Sequence, residues 1–195
     1  MVPFIGLTGG IGSGKSTALD ALARLGAATL STDAIVHELY DSDEIRDAVV
    51  ARWGEEVVTG GRIDRAAVAA HAFASDADRA WLEQLLWPRV GARVAEWRET
   101  VERSDPPPPA AVVEVPLLFE AGMEDGFDAT IAVVADEPVR AERAAARGHA
   151  AVDERAARQL GQTEKAERAT FAVANSGTRE ELQRKLSAIL EKVNP

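Results

Sequence analysis

The residues best suited to chemistry are Gly9-Gly10-Ile11-Gly12-Ser13-Gly14-Lys15-Ser16-Thr17, which fit G-x-x-x-x-G-K-[ST] from Gly9 to Ser16. Glycines let a backbone curl until successive N–H groups point into one concavity, and a helix starting there adds the positive end of its dipole. Such a loop is a socket for anions. Gly10, Gly12, Ser13, Gly14, Lys15, Ser16 and Thr17 are therefore candidate nucleotide-binding residues; Lys15 would reach the β- and γ-phosphates, and the Ser16 hydroxyl would ligate Mg²⁺. Lys15 is the only lysine before Lys165 in a chain that otherwise uses arginine, and arginine cannot act as a compact charge under a phosphate. A glycine-rich turn with a chance lysine is the plain alternative. A dinucleotide fingerprint is disfavoured, because Lys15 stands where G-x-G-x-x-G needs its third glycine.

The elements around the loop suit a socket. The apolar run Val2 to Leu7 reads as a strand leading into it, and Ala18 to Leu25 reads as a helix ended by Gly26. Ala27-Ala28-Thr29-Leu30-Ser31 is a second short strand ending in Thr32-Asp33. In an open parallel sheet ligands bind beyond the carboxyl ends of strands, so Asp33 is a candidate catalytic residue. It could also serve as N-cap of a helix from Ala34 to Tyr40.

From Ser42 to about Arg103 the pattern is helical, with no convincing strand. Asp43 opens a helix through Trp53 stopped by Gly54, Thr59-Gly60-Gly61-Arg62 is a turn, and Asp64 caps a helix through Ala74. Asp76 caps a longer helix with Trp81, Leu85 and Leu86 on one face, and Pro88 predicts a kink or break before it. These sixty residues are either a substrate-binding insertion or a helical cap that completes the core. Ser104 to Pro109 is an extended connector. Ala110 to Val115 and Ala129 to Ala135 are nearly continuous apolar runs, as in strands buried on both faces. Asp136-Glu137-Pro138 starts a helix carrying Arg140, Arg143 and Arg147, which spacings of three and four put on one side, with Gly148 ending it. Asp153 caps another helix with Arg155 and Arg158, and Thr163 to Arg168 is again charged. These arginines are either a lid that closes over phosphates or a solvated face paired with Glu137, Glu142 and Glu154. Ala169 to Ala174 reads as a last strand, and Thr178-Arg179-Glu180-Glu181 as a capping box for the C-terminal helix.

Strands alternating with helices predict a three-layer α/β fold of the P-loop NTPase type with a parallel sheet, a helical insertion and a helical lid. At 195 residues one domain is expected, with core segments at about 1–33, 110–139 and 168–195, the insertion at about 34–109 and the lid at about 140–167. A net charge of −10 argues against general binding to nucleic acid or an anionic membrane. The absence of cysteine excludes disulfides, thiolate metal sites and cysteine nucleophiles. Neither a signal segment nor a membrane span is visible, so a cytoplasmic location is expected, with oligomeric state left open. A GTPase would show an Asn-Lys-x-Asp segment, and an ATPase motor an acid closing its second apolar strand, where Val115-Pro116 stands instead. A small-molecule kinase remains.

Leu7 to Ser16, Thr32-Asp33, Trp87-Pro88, Val115-Pro116-Leu117-Leu118-Phe119-Glu120 and Asn175-Ser176-Gly177 resemble, in order, the motifs of the dephospho-coenzyme A kinase family. The resemblance implies ATP-dependent phosphorylation of the ribose 3′-hydroxyl of dephospho-coenzyme A, the last step in making coenzyme A. It implies Asp33 as the base, Lys15, Arg140, Arg143 and Arg147 as groups that neutralise phosphate, and Asn175 and Gly177 near the adenine. It further implies a coenzyme A-binding role for the insertion, with Leu117, Leu118 and Phe119 along its cleft. Two positions depart from the family pattern. Ser31 replaces the first acid of Asp-x-Asp, and Trp87 replaces the histidine of His-Pro, where packing is the simpler role. His37, His71 and His149 look incidental. The other readings are a related kinase acting on a nucleoside monophosphate or small hydroxy acid, and an ATP-binding regulatory module.

Overall fold

Strand β1 (Phe4–Gly9) is buried at every residue, as its apolar composition on both faces requires. In chain order it is followed by α1 (Lys15–Arg24), β2 (Ala28–Ser31), α2 (Thr32–Tyr40), α3 (Asp43–Trp53), β3 (Val58–Thr59), β4 (Arg62–Ile63), α4 (Arg65–Ala74) and α5 (Asp76–Glu102). Then come β5 (Ala111–Glu114), β6 (Ala129–Val134), α6 (Glu137–Ala146), α7 (Gln162–Arg168), β7 (Phe171–Ala174) and α8 (Arg179–Val193). This is a computed structural model, and it describes residues 1–146 and 159–194. The expected second lid helix with Arg155 and Arg158, together with Arg147, Gly148 and His149, lies outside the described residues.

The chain divides into two units, Met1–Ser31 with Arg98–Pro195, and Thr32–Trp97. In the first, five parallel strands run in the order β2-β5-β1-β6-β7. β1 is paired on both sides, Leu7 opposite Glu114 of β5 and Ile131 of β6. Ile5, Leu7, Val112, Ile131, Val133 and Val173 pack against Ala18, Ala21 and Leu22 of α1 and Leu182, Leu186, Ile189 and Leu190 of α8. Each fully buried leucine among them contributes about 1.5–3 kcal/mol by leaving water. That packing clamps α1 against the sheet, and so fixes the helix N-terminus just past the end of β1. The last turn of α5 belongs to this unit, with the Arg98 guanidinium 4.3 Å from the centre of the Phe4 ring.

The second unit is helical, with one feature that composition hid. Val58–Thr59 and Arg62–Ile63 pair as a small antiparallel hairpin around the expected Gly60-Gly61 turn. Two-residue strands are too short to show a period of two. Ser42 caps α3 by accepting from the Ile45 N–H at 3.4 Å, and Asp64 caps α4 through the Ala66 and Ala67 N–H groups at 2.9 and 3.2 Å. Asp76 is not a cap; Ser75 does that work, its hydroxyl accepting from the Asp78 N–H at 3.3 Å. Nor does Pro88 break its helix, since α5 runs through it for 27 residues. Proline removes the N–H partner of the Gln84 carbonyl, but Gln84 is exposed, so water can replace that partner. Trp87 is 54% exposed and does not pack as expected. The aromatic centre of this unit is Trp53, stacked on His71 at 5.4 Å and edge-on to Trp81 at 5.1 Å.

Candidate active site

The glycine loop joins β1 to α1, and among the described residues no side chain caps the α1 N-terminus. Gly14, the residue before the helix, has φ +89°, which glycine alone adopts without strain. A glycine there brings no side chain of its own over the first turn, which is the build of anion sites at helix N-termini. The Lys15 ammonium lies back over the loop, donating to the Gly9 carbonyl at 3.0 Å and the Gly10 carbonyl at 3.4 Å. Ser16 is exposed at the second position of the helix, with Thr17 half-buried beside it. The Ser13 hydroxyl is buried within the loop and has no partner among the described residues. This donor set fits a polyphosphate.

The first turns of α6 and the β7–α8 loop close round the same loop. Arg140 Nε donates to the Ile11 carbonyl at 3.0 Å, and Arg140 Nη1 pairs with Glu137 at 2.7 Å. The backbone of Arg140 comes so near that a Cβ on Gly12 would lie 2.5 Å from its carbonyl oxygen. Arg143 Nη1 donates to the Asn175 carbonyl at 3.0 Å, while buried Asn175 Nδ2 donates to the Ser13 carbonyl at 2.8 Å. Arg140, Arg143 and Asn175 are thereby brought together on one phosphate loop. Gly177 has a local reason to be glycine, because a Cβ there would meet the Glu181 carboxylate. That carboxylate is held by the capping box of α8, in which Thr178 and Glu181 satisfy each other's backbone N–H groups at 3.2 Å.

Asp33 is exposed in the first turn of α2, not its N-cap, because the helix already begins at Thr32. It lies in the second unit, two residues past the end of β2. The three residues expected along a cleft divide. Leu118 and Phe119 are buried. Leu118 fills the space that a Cβ on Gly6 would need, at 2.5 Å, and the Phe119 ring lies 5.0 Å beneath the Arg168 guanidinium. Only Leu117 keeps surface that a ligand could touch.

Two sets of polar residues escaped the sequence reading. Glu114 is a buried acid that closes β5, in register with Leu7 of β1 and Ser31 of β2. The expectation of no acid at the end of this strand looked one residue too far along, at Val115. The second set centres on Lys165, whose ammonium donates to the Pro116 carbonyl at 2.8 Å and pairs with Glu120 at 2.9 Å. Burial pushes this ammonium below the ordinary lysine range, and Glu120 opposes the shift. Among the described residues no cluster of three or more His, Cys, Asp or Glu could hold a metal, and no helix is long and apolar enough to cross a membrane.

A parallel sheet whose first strand ends in an uncapped, glycine-lined anion socket, with arginines folded onto it, defines a P-loop kinase. The comparisons agree. The family profile described as dephospho-CoA kinase matches residues 3–181. The dephospho-CoA kinase of Deinococcus radiodurans is 39% identical over 194 residues, covering 97% of this chain and 91% of its own length. The crystal structure of TT1252 from Thermus thermophilus superposes with a TM-score of 0.81 at 34% identity, over 100% of this chain and 99% of that one. The dephospho-CoA kinase from Campylobacter jejuni, 22% identical, shares the fold with a TM-score of 0.71, over 100% of this chain and 98% of that one. The chain belongs to the dephospho-CoA kinase family.

Proposed function

We propose that the chain transfers the γ-phosphoryl group of ATP to the ribose 3′-hydroxyl of dephospho-CoA, with the following residues in the roles given. The acceptor oxygen forms a bond to the γ-phosphorus, its proton passes to the Asp33 carboxylate, and the bridging bond to the β-phosphate breaks to release ADP. The loop from Gly10 to Thr17 and the first-turn N–H groups of α1 bind the β- and γ-phosphates. Lys15 leaves the Gly9 and Gly10 carbonyls for the transferring group, where its charge offsets the charge that develops. Arg140 and Arg143 add positive charge beside the loop, and the family resemblance gives Arg147 the same role. Asn175 and Gly177 border the adenine, Leu117 contacts the acceptor, and the helical unit Thr32–Trp97 contributes acceptor binding.

Mg²⁺, held by Ser16 and the phosphates themselves, would neutralise charge shared between the β- and γ-phosphates. Glu114 fits as the acid behind that site. An exposed hydroxyl at the helix start and a buried acid closing the adjacent strand suit a cation that keeps several waters.

The observation that carries the proposal is the α1 N-terminus, which follows Gly14 at the mouth of a glycine loop and has no side-chain cap among the described residues. The test is ADP release with ATP and Mg²⁺ across dephospho-CoA, adenosine monophosphate, shikimate, gluconate and water alone. Release should require dephospho-CoA. Release driven by another acceptor would reassign the substrate, and release indifferent to every acceptor would favour a regulatory module.

A further inference from the structure

Lys165 is wholly buried on α7, a helix with several charged residues that otherwise face water. Among the described residues its ammonium meets Glu120 Oε1 at 2.9 Å, the Pro116 carbonyl at 2.8 Å and Thr8 Oγ1 at 3.5 Å. Thr8 is the residue before Gly9, where the phosphate loop begins, and its own hydroxyl donates to Pro116 at 3.2 Å. Glu120 Oε1 also accepts from the Leu160 N–H at 2.9 Å. The neighbour of Leu160, Gln159, accepts through its side chain from the Ile11 N–H at 3.2 Å, inside the phosphate loop. The contacts therefore close a ring: Thr8, the loop to Ile11, Gln159 and Leu160, Glu120, Lys165, and back to Thr8. A second tie fixes α7 itself, since the Gln162 amide both donates to and accepts from the Ala135 backbone at 2.9 and 2.8 Å.

We propose that Lys165 is a positioning residue for phosphoryl transfer, fixing the phosphate loop from both of its flanks through Thr8 on one side and the Glu120–Leu160–Gln159–Ile11 path on the other. It is not an anion ligand. Its charge is committed to Glu120, whose second oxygen is itself buried with no partner among the described residues. A loop held at one flank only can still grip a nucleotide, but its N–H groups wander relative to the γ-phosphate. Small misplacements of that kind lower the rate of transfer far more than the affinity.

The inference rests on the kinase reading, and the wild-type protein separates the two. Without acceptor-dependent ADP release by the wild type, the kinase reading fails; with it, the variants decide the role of Lys165. Lys165→Met should lower kcat by about tenfold or more while the KM for ATP changes less than about threefold. Because that variant strands a buried carboxylate, Lys165→Met/Glu120→Met is the companion. It should recover much of the lost melting temperature, as replacement of buried ion pairs by apolar residues does, and yet keep the low kcat. Gln159→Ala breaks the ring without burying a charge, and its effect on kcat should be less than multiplicative with that of Lys165→Met. A companion double variant with wild-type kcat, a loss confined to melting temperature, or fully multiplicative effects of Gln159→Ala and Lys165→Met would each overturn the proposal.

Discussion

Replacing Gly14 with alanine puts two separate costs on one atom. With φ at +89°, an added Cβ meets its own backbone in the left-handed region, which costs about 1–2 kcal/mol. The same Cβ would lie 2.1 Å from Asn175 Nδ2, far inside van der Waals contact. Asn175 is 4% exposed and has little room to withdraw. Moving its amide breaks the 2.8 Å hydrogen bond to the Ser13 carbonyl, and a buried donor left without its partner costs about 1–3 kcal/mol. Together the change should cost about 2–5 kcal/mol, a fall in melting temperature of roughly 4–20 °C for a chain of this size.

Gly26 supplies the control. It lies in the same unit with φ +92°, but its added Cβ would meet only Pro109 Cδ at an ordinary 3.8 Å. Gly26→Ala therefore carries the backbone cost alone, roughly 2–8 °C. Thermal melting of both variants, with and without ATP, separates neighbour from backbone. ATP at about one hundred times its Kd should stabilise wild type and Gly26→Ala by about 2.7 kcal/mol. Gly14→Ala should lose most of that shift. If Gly14→Ala melted within about 2 °C of Gly26→Ala and kept its ATP response, Asn175 would have room to withdraw and the reasoning would fail.

Three further outcomes are expected. Asp33→Asn should lower kcat by at least about a hundredfold with ATP affinity nearly intact, the mark of a proton acceptor that acts only in transfer; unchanged turnover would remove Asp33 from the chemistry. Lys15→Ala should reduce kcat/KM by an amount equivalent to about 3–4 kcal/mol, and near-normal rates would contradict a charge on the transferred group. In the helical unit, Arg52 donates twice to Asp78 at 2.9 and 2.6 Å, and this holds the Asp78 carboxyl below its ordinary range. A depressed carboxylate stabilises the fold above its unfolded pKa and loses that contribution as pH falls. Arg52→Met should therefore lower the melting temperature at neutral pH, with the two melting curves converging in acid. A gap that stayed constant with pH would mean that Arg52 acts by packing alone.

What was legible in the sequence follows from how locally each feature is encoded. The phosphate loop, the caps at Asp64 and Thr178 and the buried strands β5 and β6 are each written within a few neighbouring residues. Sequence reasoning stumbled where two local rules competed. Asp33 suits an N-cap, but Thr32 can already take helical backbone. Pro88 should end a helix, yet fourteen helical residues follow it through Glu102, and Gln84, whose carbonyl it leaves without its N–H partner, is an exposed residue. Leu117-Leu118-Phe119 look alike in sequence. Only the arrival of Gly6 and Arg168 from distant parts of the chain decides that two of them are buried.

The Lys165 ring shows why charge composition misleads at such a site. In Thr163-Glu164-Lys165-Ala166-Glu167-Arg168 nothing in the types marks one ammonium as buried. The spacing does carry a signal, since Gln162, Lys165, Ala166 and Ala169 share one helical face, and in the structure none of the four is exposed. A lysine sharing a face with alanines must find a partner or lose its charge. Here the partner is Glu120, the last residue of the motif that opens with Val115-Pro116. In a chain carrying ten surplus negative charges, a polyphosphate has to be held by positive charge kept close to one loop. Lys15, Arg140 and Arg143 donate to backbone carbonyls there, and in the proposed reaction they turn from those carbonyls to the phosphates. Lys165 is neutralised by a buried acid, so it can brace the same loop without competing for the phosphate.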